Sequence, residues 1–297
     1  YERGDTMVLP APLFHAWGLS QLILAATLGQ TVVLRRSFDA QQTLDDVEAH
    51  GAHILVVVPV MLHRMLRCGS PADIGSLRIV ASSGSALPGA LATDWIDAYG
   101  HNLFSLYGST EVGQVSVASP FQLETDPASG GTPLRGIDVR IVDDSGSDVP
   151  IGEIGRIVVS SSMHFDGYTD GGNKEMVEAF MAIGDLGWMG ANGELHVAGR
   201  ADDMIISGGE NVFPSNIERA LSKCNEVVES AVVGTEDADL GQRVRAVIVT
   251  NSDDAGPALT KRLDKQLRSE LGPHELPREF VYVDELPRNA AGKVLRR

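Results

Sequence analysis

The stretch "YGSTEVG", residues 107–113, places two hydroxyls and a carboxylate between two apolar segments. Hydroxyls such as that of Thr110 can donate to phosphate oxygens, and the carboxylate of Glu111 can hold a divalent cation such as magnesium. On these residues alone, a polar turn that leads into the next element remains the simpler interpretation. Whether the stretch forms a phosphate and metal site or only a polar turn therefore depends on which other functional groups the chain contains.

Three further positions carry groups that a nucleotide site uses. Asp185, in "GD" at 184–185, can accept hydrogen bonds from both hydroxyls of a ribose. Arg200, in "GR" at 199–200, supplies a guanidinium suited to phosphate or ribose. Lys293 follows a glycine in "NAAGKVLRR" near the C-terminus. Each position is weak evidence by itself, because Gly-Asp turns and solvated lysines near a C-terminus are common.

The elements that must position these groups indicate an α/β fold. Short apolar runs alternate with segments of helical spacing over the first hundred residues, which predicts a mostly parallel sheet. Ligands bind beyond the carboxyl ends of such strands, where we expect "SSGSALPG" (82–89) and "YGSTE" (107–111). From about residue 130, short alternating strands with glycine turns predict a small β-rich part.

A compact α+β block follows "GRADD" (199–203). The sequence therefore predicts two domains. The first, residues 1–199, is part of a larger domain, α/β to about residue 130 and β-rich over 131–199. The second, residues 200–297, is a small α+β domain.

Composition excludes several classes of protein. The chain has 297 residues, of which 43% are hydrophobic, which is enough for a sizeable core. A net charge of −16 argues against nucleic acid or an anionic membrane as the main partner. Two unpatterned cysteines favour a reducing, cytoplasmic compartment. The apolar run at 54–62 is too short for a transmembrane segment, and peripheral membrane contact and a homodimer stay open.

Each motif is weak evidence alone, but their order and spacing along the chain make the set specific. The chain resembles the adenylate-forming superfamily, and most of all its fatty acyl- and aryl-CoA ligases. The resemblance covers essentially the whole chain and rests on "PLFHAWG" (12–18), "SSGSALPG" (82–89), "YGSTE" (107–111), "GDLGW" (184–188), "GRADDMIISGGENVFPSNIE" (199–218) and "LPRNAAGKVLR" (286–296).

This resemblance implies a two-step reaction that uses ATP, Mg²⁺ and coenzyme A. A carboxylic acid first forms an acyl-adenylate with release of pyrophosphate, and a thiol then displaces AMP. It also implies that Thr110 contacts phosphate and that Glu111 holds magnesium. Lys293 would bridge the carboxylate and the α-phosphate, and His15 would gate thiol entry beside the acyl pocket.

The remaining roles implied by the resemblance concern nucleotide, coenzyme A and domain motion. Asp185 would bind the ribose, and Arg200 would assist at the ribose or the phosphate. Asp202 matches the position of the hinge that joins the two domains. Tyr107 and Gly108 would border the adenine and acyl site, and three residues would line the adenine pocket: Gly84, Ser85 and Ala86. Two glycines would flank the pantetheine tunnel, where a simple β-turn is the alternative: Gly208 and Gly209.

One family feature has no counterpart here. The superfamily carries a glycine-, serine- and threonine-rich phosphate loop that ends in lysine, and none of the five lysines follows such a run. We interpret this as N-terminal truncation, which predicts impaired ATP binding. Small residues after "YGSTE" favour a medium- or long-chain fatty acid as substrate. An adenylation domain that loads a carrier protein and a non-catalytic remnant remain the alternatives.

Overall fold

The computed structural model describes residues 1–68, 73–252, 255–289 and 294–296. These ranges contain seven α-helices: α1 Ala16–Leu28, α2 Ala40–His50, α3 Pro59–Leu66, α4 Gly89–Tyr99, α5 Pro120–Thr125, α6 Pro214–Ser222 and α7 Pro257–Leu267. A 3₁₀ turn spans Ala201–Asp203. The strands of the described chain form three sheets.

The first sheet carries the predicted parallel strands. Its members are β1 Thr6–Val8, β2 Thr31–Val33, β3 Ile54–Val57, β4 Ile79–Ser82, β5 Leu103–Ser109, β6 Gly113–Ala118 and β7 Thr132–Pro133. The strand order is β2-β1-β3-β4-β5-β6-β7. The five strands from β2 to β5 are paired in parallel, whereas β6 and β7 are antiparallel to their neighbours. The mostly parallel sheet expected from the sequence is confirmed.

Helices cover this sheet and explain its apolar strands. All four residues of β3 are buried, as expected for a parallel strand covered on both faces. Helix α4 begins after Pro88 and buries Leu91 and Trp95 against the core. The indole nitrogen of Trp95 donates to Asn102 at 3.0 Å, so its one polar atom is satisfied on burial.

The second sheet lies in the part of the chain that was predicted to be β-rich, and it contains more strands than the sequence suggested. It contains β8 Ile137–Val142, β9 Gly155–Ser161, β10 Met176–Val177, β11 Phe180–Met189 and β12 Leu195–Arg200. Its order is β10-β11-β9-β8, with β12 paired to β11. The expectation of a tight turn at Asp185 is wrong, because this residue lies inside the ten-residue strand β11.

The third sheet contains β13 Ile205–Ser207, β14 Glu210–Val212, β15 Val227–Asp237, β16 Gly241–Thr250 and β17 Glu279–Tyr282. Its order is β14-β13-β16-β15, with β17 parallel to β16. Helices α6 and α7 bury Ile217, Leu221, Leu259 and Leu263 in its core. The compact α+β block expected after residue 199 is therefore present.

The chain divides into two compact units. Unit 1 comprises Tyr1–Arg140, Val158–Ile183 and Met189–His196, and unit 2 comprises Ile141–Ile157, Gly184–Trp188 and Val197–Arg297. The domain boundary near residues 199–203 and the hinge there stay predictions. No helix of the described chain is both long enough and apolar enough to cross a bilayer.

A buried carboxylate on α2 is expected to stabilise unit 1. Asp46 is almost fully buried and accepts bonds from Arg35 at 2.6 and 2.8 Å, which lower its pKa. We predict that Asp46→Asn lowers the free energy of unfolding by about 1–2 kcal/mol near neutral pH, measured by urea denaturation. The exposed neighbour Asp45 supplies the control, and Asp45→Asn should change little.

The same pair should make this loss pH-dependent. A carboxyl whose pKa is lowered by folding contributes stability above its ordinary pKa and loses it as the pH falls through the folded value. The difference between the parent and Asp46→Asn should therefore shrink in acid below about pH 4. A difference that stays constant down to strongly acidic pH would contradict the assignment.

Candidate functional site

A tight connection between β5 and β6 presents the central motif. Ser109 pairs with Gly113, so residues 110–112 form the connection. Val112 is fully buried and holds the connection to unit 1, while Thr110 is exposed. The buried valine therefore fixes the loop from inside and leaves its polar neighbours at the surface.

The first three residues of "YGSTE" belong to the strand itself. Ser109 ends β5, and Tyr107 and Gly108 lie within it, whereas the sequence placed the motif directly after a strand. The pairing of β5 with β6 shifts register between them. An added Cβ at Gly108 would lie 2.3 Å from the carbonyl oxygen of Gly113, so glycine is required by this close backbone approach.

Glu111 is a partly buried carboxylate with one hydrogen-bond donor and one cation at the same oxygen. The Tyr168 hydroxyl donates to Oε1 at 2.6 Å, and the Lys174 Nζ lies 3.6 Å from the same oxygen. Burial works to raise the pKa of Glu111, but hydrogen bonds to the carboxylate, of which the Tyr168 bond has the largest effect, and the smaller effect of the Lys174 charge together outweigh it, and the pKa lies below its usual value. The carboxylate is therefore ionised at neutral pH.

The loop after β4 lies beside β5. Residues Gly84, Ser85 and Ala86 are exposed, and Gly84 has a φ of +89°. The hydroxyl of Ser83 donates to the carbonyl oxygen of Leu106 at 2.7 Å. This bond joins the start of the β4 loop to β5, so both predicted nucleotide motifs lie at one edge of the parallel sheet.

A second set of predicted residues lies in unit 2. The Arg200 guanidinium donates to Asp185 at 3.2 Å and to Asp202 at 3.1 Å. Gly184 has a φ of +84°, and a Cβ there would lie 3.1 Å from the guanidinium. Glycine at this position leaves room for Arg200 to reach Asp185, which gives a physical reason for the "GD" pair.

The two glycines of "ISGGEN" form the turn of a hairpin. Ser207 pairs with Glu210, so Gly208 and Gly209 make a two-residue connection between β13 and β14. Their φ values are +62° and +85°, as in a type I′ turn. The β-turn alternative is therefore present in the structure, and it is compatible with a ligand arm passing close to the backbone.

Of two further residues predicted to be catalytic, the structure describes His15 but not Lys293. His15 is exposed at the N-cap of α1, where its side chain makes no capping bond and its ring lies 4.6 Å from that of Phe14. Lys293 lies outside the described residues. Asp202 lies in the 3₁₀ turn Ala201–Asp203, at the position predicted to be a hinge.

Sequence reasoning missed the partners of Glu111. Tyr168 and Lys174 follow it by 57 and 63 residues, and neither belongs to a motif on which the resemblance rests. The only available signal was the rarity of lysine, with five in the chain. Over the ranges that the structure describes, no three His, Cys, Asp or Glu side chains form a ready-made metal cluster.

Comparison with known proteins extends this picture. The indoleacetate–CoA ligase of Aromatoleum aromaticum is 34% identical, with 99% of this chain and 58% of the ligase covered. A fatty acid–[acyl-carrier-protein] ligase, ScoC of Streptomyces coeruleorubidus, is 30% identical, with coverage of 100% and 59%. ATP-bound MatB from Rhodopseudomonas palustris superposes with a TM-score of 0.89 at 29% identity, with coverage of 99% and 59%.

The chain thus spans about three fifths of the length of these relatives. The sequence profile of the AMP-binding enzymes matches residues 1–169, and that of the AMP-binding enzyme C-terminal domain matches residues 216–293. The fold agrees with these matches, since the structural neighbour shares it over nearly the whole chain. The chain therefore belongs to the AMP-binding enzyme family.

Proposed function

We propose that the protein containing this chain is an AMP-forming ligase that joins a carboxylic acid to coenzyme A. The observation that carries this proposal is Glu111, an ionised carboxylate on a tight loop at the ligand-binding edge of the parallel sheet. The family and the named activities of relatives give the reaction class. A carboxylate oxygen attacks the α-phosphorus of ATP and pyrophosphate leaves. The coenzyme A sulfur then attacks the acyl carbon and AMP leaves.

The residues of unit 1 fit the polyphosphate and its cation. Mg²⁺ prefers hard oxygen ligands and keeps several waters, so one carboxylate such as that of Glu111 is an appropriate protein ligand. The bound metal would neutralise the phosphate charge that repels an incoming carboxylate. Thr110, exposed on the same loop, offers its hydroxyl to a phosphate oxygen. Gly84–Ala86 and Tyr107 border the edge where the adenine would lie.

Unit 2 carries the residues proposed for ribose and for the second step. Asp185 is mostly buried, with its side chain 13% exposed, and Arg200 holds it in a defined orientation. A carboxylate so oriented can accept bonds from both ribose hydroxyls. We assign Lys293 to the carboxylate and α-phosphate, and the Gly208–Gly209 turn to the pantetheine arm. Asp202 remains the proposed hinge, and His15 the proposed gate for the thiol.

The acyl substrate is proposed to be an aromatic carboxylic acid. The sequence argument for a fatty acid used small residues after the loop. Two of these, Ser116 and Ala118, are fully buried, and Ser116 donates to Gly130 at 2.6 Å, so both are already packed against protein. The 34% identity to an indoleacetate ligase favours an aryl acid. A fatty acid and a carrier-protein acceptor are the second candidate, because ScoC is 30% identical.

Pyrophosphate release tests the activity and the acid together. We expect the whole protein encoded around this sequence to release pyrophosphate with aryl acids such as indoleacetate, and less with medium- or long-chain fatty acids. Lys293→Ala should slow this step by a factor of about 100 or more, because the carboxylate and the α-phosphate lose the positive charge proposed to bridge them. It should still form thioester from supplied acyl-adenylate.

Lys265, an exposed lysine of α7, provides the matched control for that experiment. Lys265→Ala should retain parental rates. Equal adenylation by Lys293→Ala and the parent would show that the assignment of Lys293 is wrong. A whole protein that activates no acid in the panel would instead favour the non-catalytic alternative.

Asp185 is expected to control the use of ATP. Asp185→Ala removes the acceptor for two ribose hydroxyls and one of the carboxylates to which Arg200 donates. We expect kcat/KM for ATP to fall about 10- to 100-fold, with a smaller change in KM for the acid. Asp144→Ala, in an exposed turn of the same unit, is the control and should behave like the parent. Unchanged kinetics in Asp185→Ala would remove this residue from the site.

A further inference from the structure

The carboxylate of Glu111 is held by a segment that lies far from it in sequence. Segment 163–174, which follows β9, places its backbone over the loop, where the Phe165 N–H donates to the Glu111 carbonyl oxygen at 2.7 Å. The same segment supplies the Tyr168 hydroxyl and the Lys174 ammonium to Oε1 of Glu111. All of these residues belong to unit 1. One segment therefore sets both the backbone and the side chain of this loop residue.

The two side chains near Oε1 of Glu111 differ in charge. Tyr168 gives a short, neutral hydroxyl bond of 2.6 Å, which fixes the orientation of the carboxylate. Lys174 brings a positive charge to within 3.6 Å, and its side chain is only 23% exposed. A lysine side chain normally extends its charged end into water. The ammonium therefore balances the Glu111 charge at the place where a divalent cation would do so.

We propose that Tyr168 positions Glu111 for Mg²⁺, and that Lys174 is a placeholder cation that the metal displaces. The proposal rests on the proposed function, in which Glu111 holds the metal. A neutral hydroxyl can keep its bond to Oε1 while the carboxylate binds the metal, as outer ligands of metal sites do. An ammonium cannot share the carboxylate with a dication without strong repulsion. The two residues on one oxygen therefore have opposite effects on metal affinity.

Mn²⁺, used in place of Mg²⁺, gives a direct readout. The whole protein is titrated with Mn²⁺ in the presence of ATP and without any carboxylic acid, and free Mn²⁺ is followed by electron paramagnetic resonance. Tyr168→Phe should weaken binding about tenfold, because the carboxylate loses its orienting bond. Lys174→Met should tighten binding about two- to fivefold, because the competing cation is gone. Lys174→Arg keeps the cation and should bind like the parent.

Two substitutions elsewhere break similar bonds and serve as controls. Lys223→Met removes an ion pair with Glu270, and Tyr282→Phe removes a hydroxyl contact with Thr260. Both should leave Mn²⁺ binding unchanged. Thermal unfolding of each variant checks that the chain is folded. A merely structural role for segment 163–174 would move Tyr168→Phe and Lys174→Met in the same direction.

Glu111→Gln separates this inference from the function on which it rests. If Mn²⁺ binding is lost in Glu111→Gln but Lys174→Met binds no tighter than the parent, the placeholder role is wrong and the proposed function stands. If Glu111→Gln binds Mn²⁺ like the parent, Glu111 is not the metal ligand, and both proposals lose their basis. Opposite shifts in Tyr168→Phe and Lys174→Met, with loss in Glu111→Gln, support the inference.

Discussion

The parallel pairing of β4 with β5 is the constraint on which the unit 1 part of the site depends. Ser82 at the end of β4 lies opposite Ser105 of β5, and the strands are held in a core that buries Val80 and Leu103 completely. The packing of these buried side chains fixes the register, because a slip of one residue would move every side chain of a strand to the opposite face of the sheet. The loops that follow the two strands then emerge at the same edge of the sheet.

The residues of the loop can be polar because apolar neighbours anchor its backbone. Val112 is fully buried beside an exposed Thr110, so the polar groups are displayed on a fixed backbone. Gly108 permits the close approach of β6 that makes the connection this tight. A site for phosphate and a hard cation needs such preorganised oxygens and N–H groups more than it needs reactive side chains.

In unit 2 a glycine again makes room for a close contact, here between a guanidinium and a carboxylate. Gly184 removes a side chain so that the guanidinium of Arg200 can reach Asp185 from within its own unit. The pair keeps a mostly buried carboxylate oriented. In both units, glycine provides space and a longer side chain provides direction. The proposed chemistry rests on this division of tasks.

The sequence by itself determined the fold class and the family, and it supplied the residues that are proposed for the site. The parallel strands are short apolar runs in the sequence, and the segments between them have helical spacing, because both patterns are local consequences of burial. Tertiary structure alone decided that Asp185 lies within a strand and that Tyr168 and Lys174 reach Glu111. No local pattern records those contacts, since they join residues 57 and 63 positions apart through the folding of one segment over another.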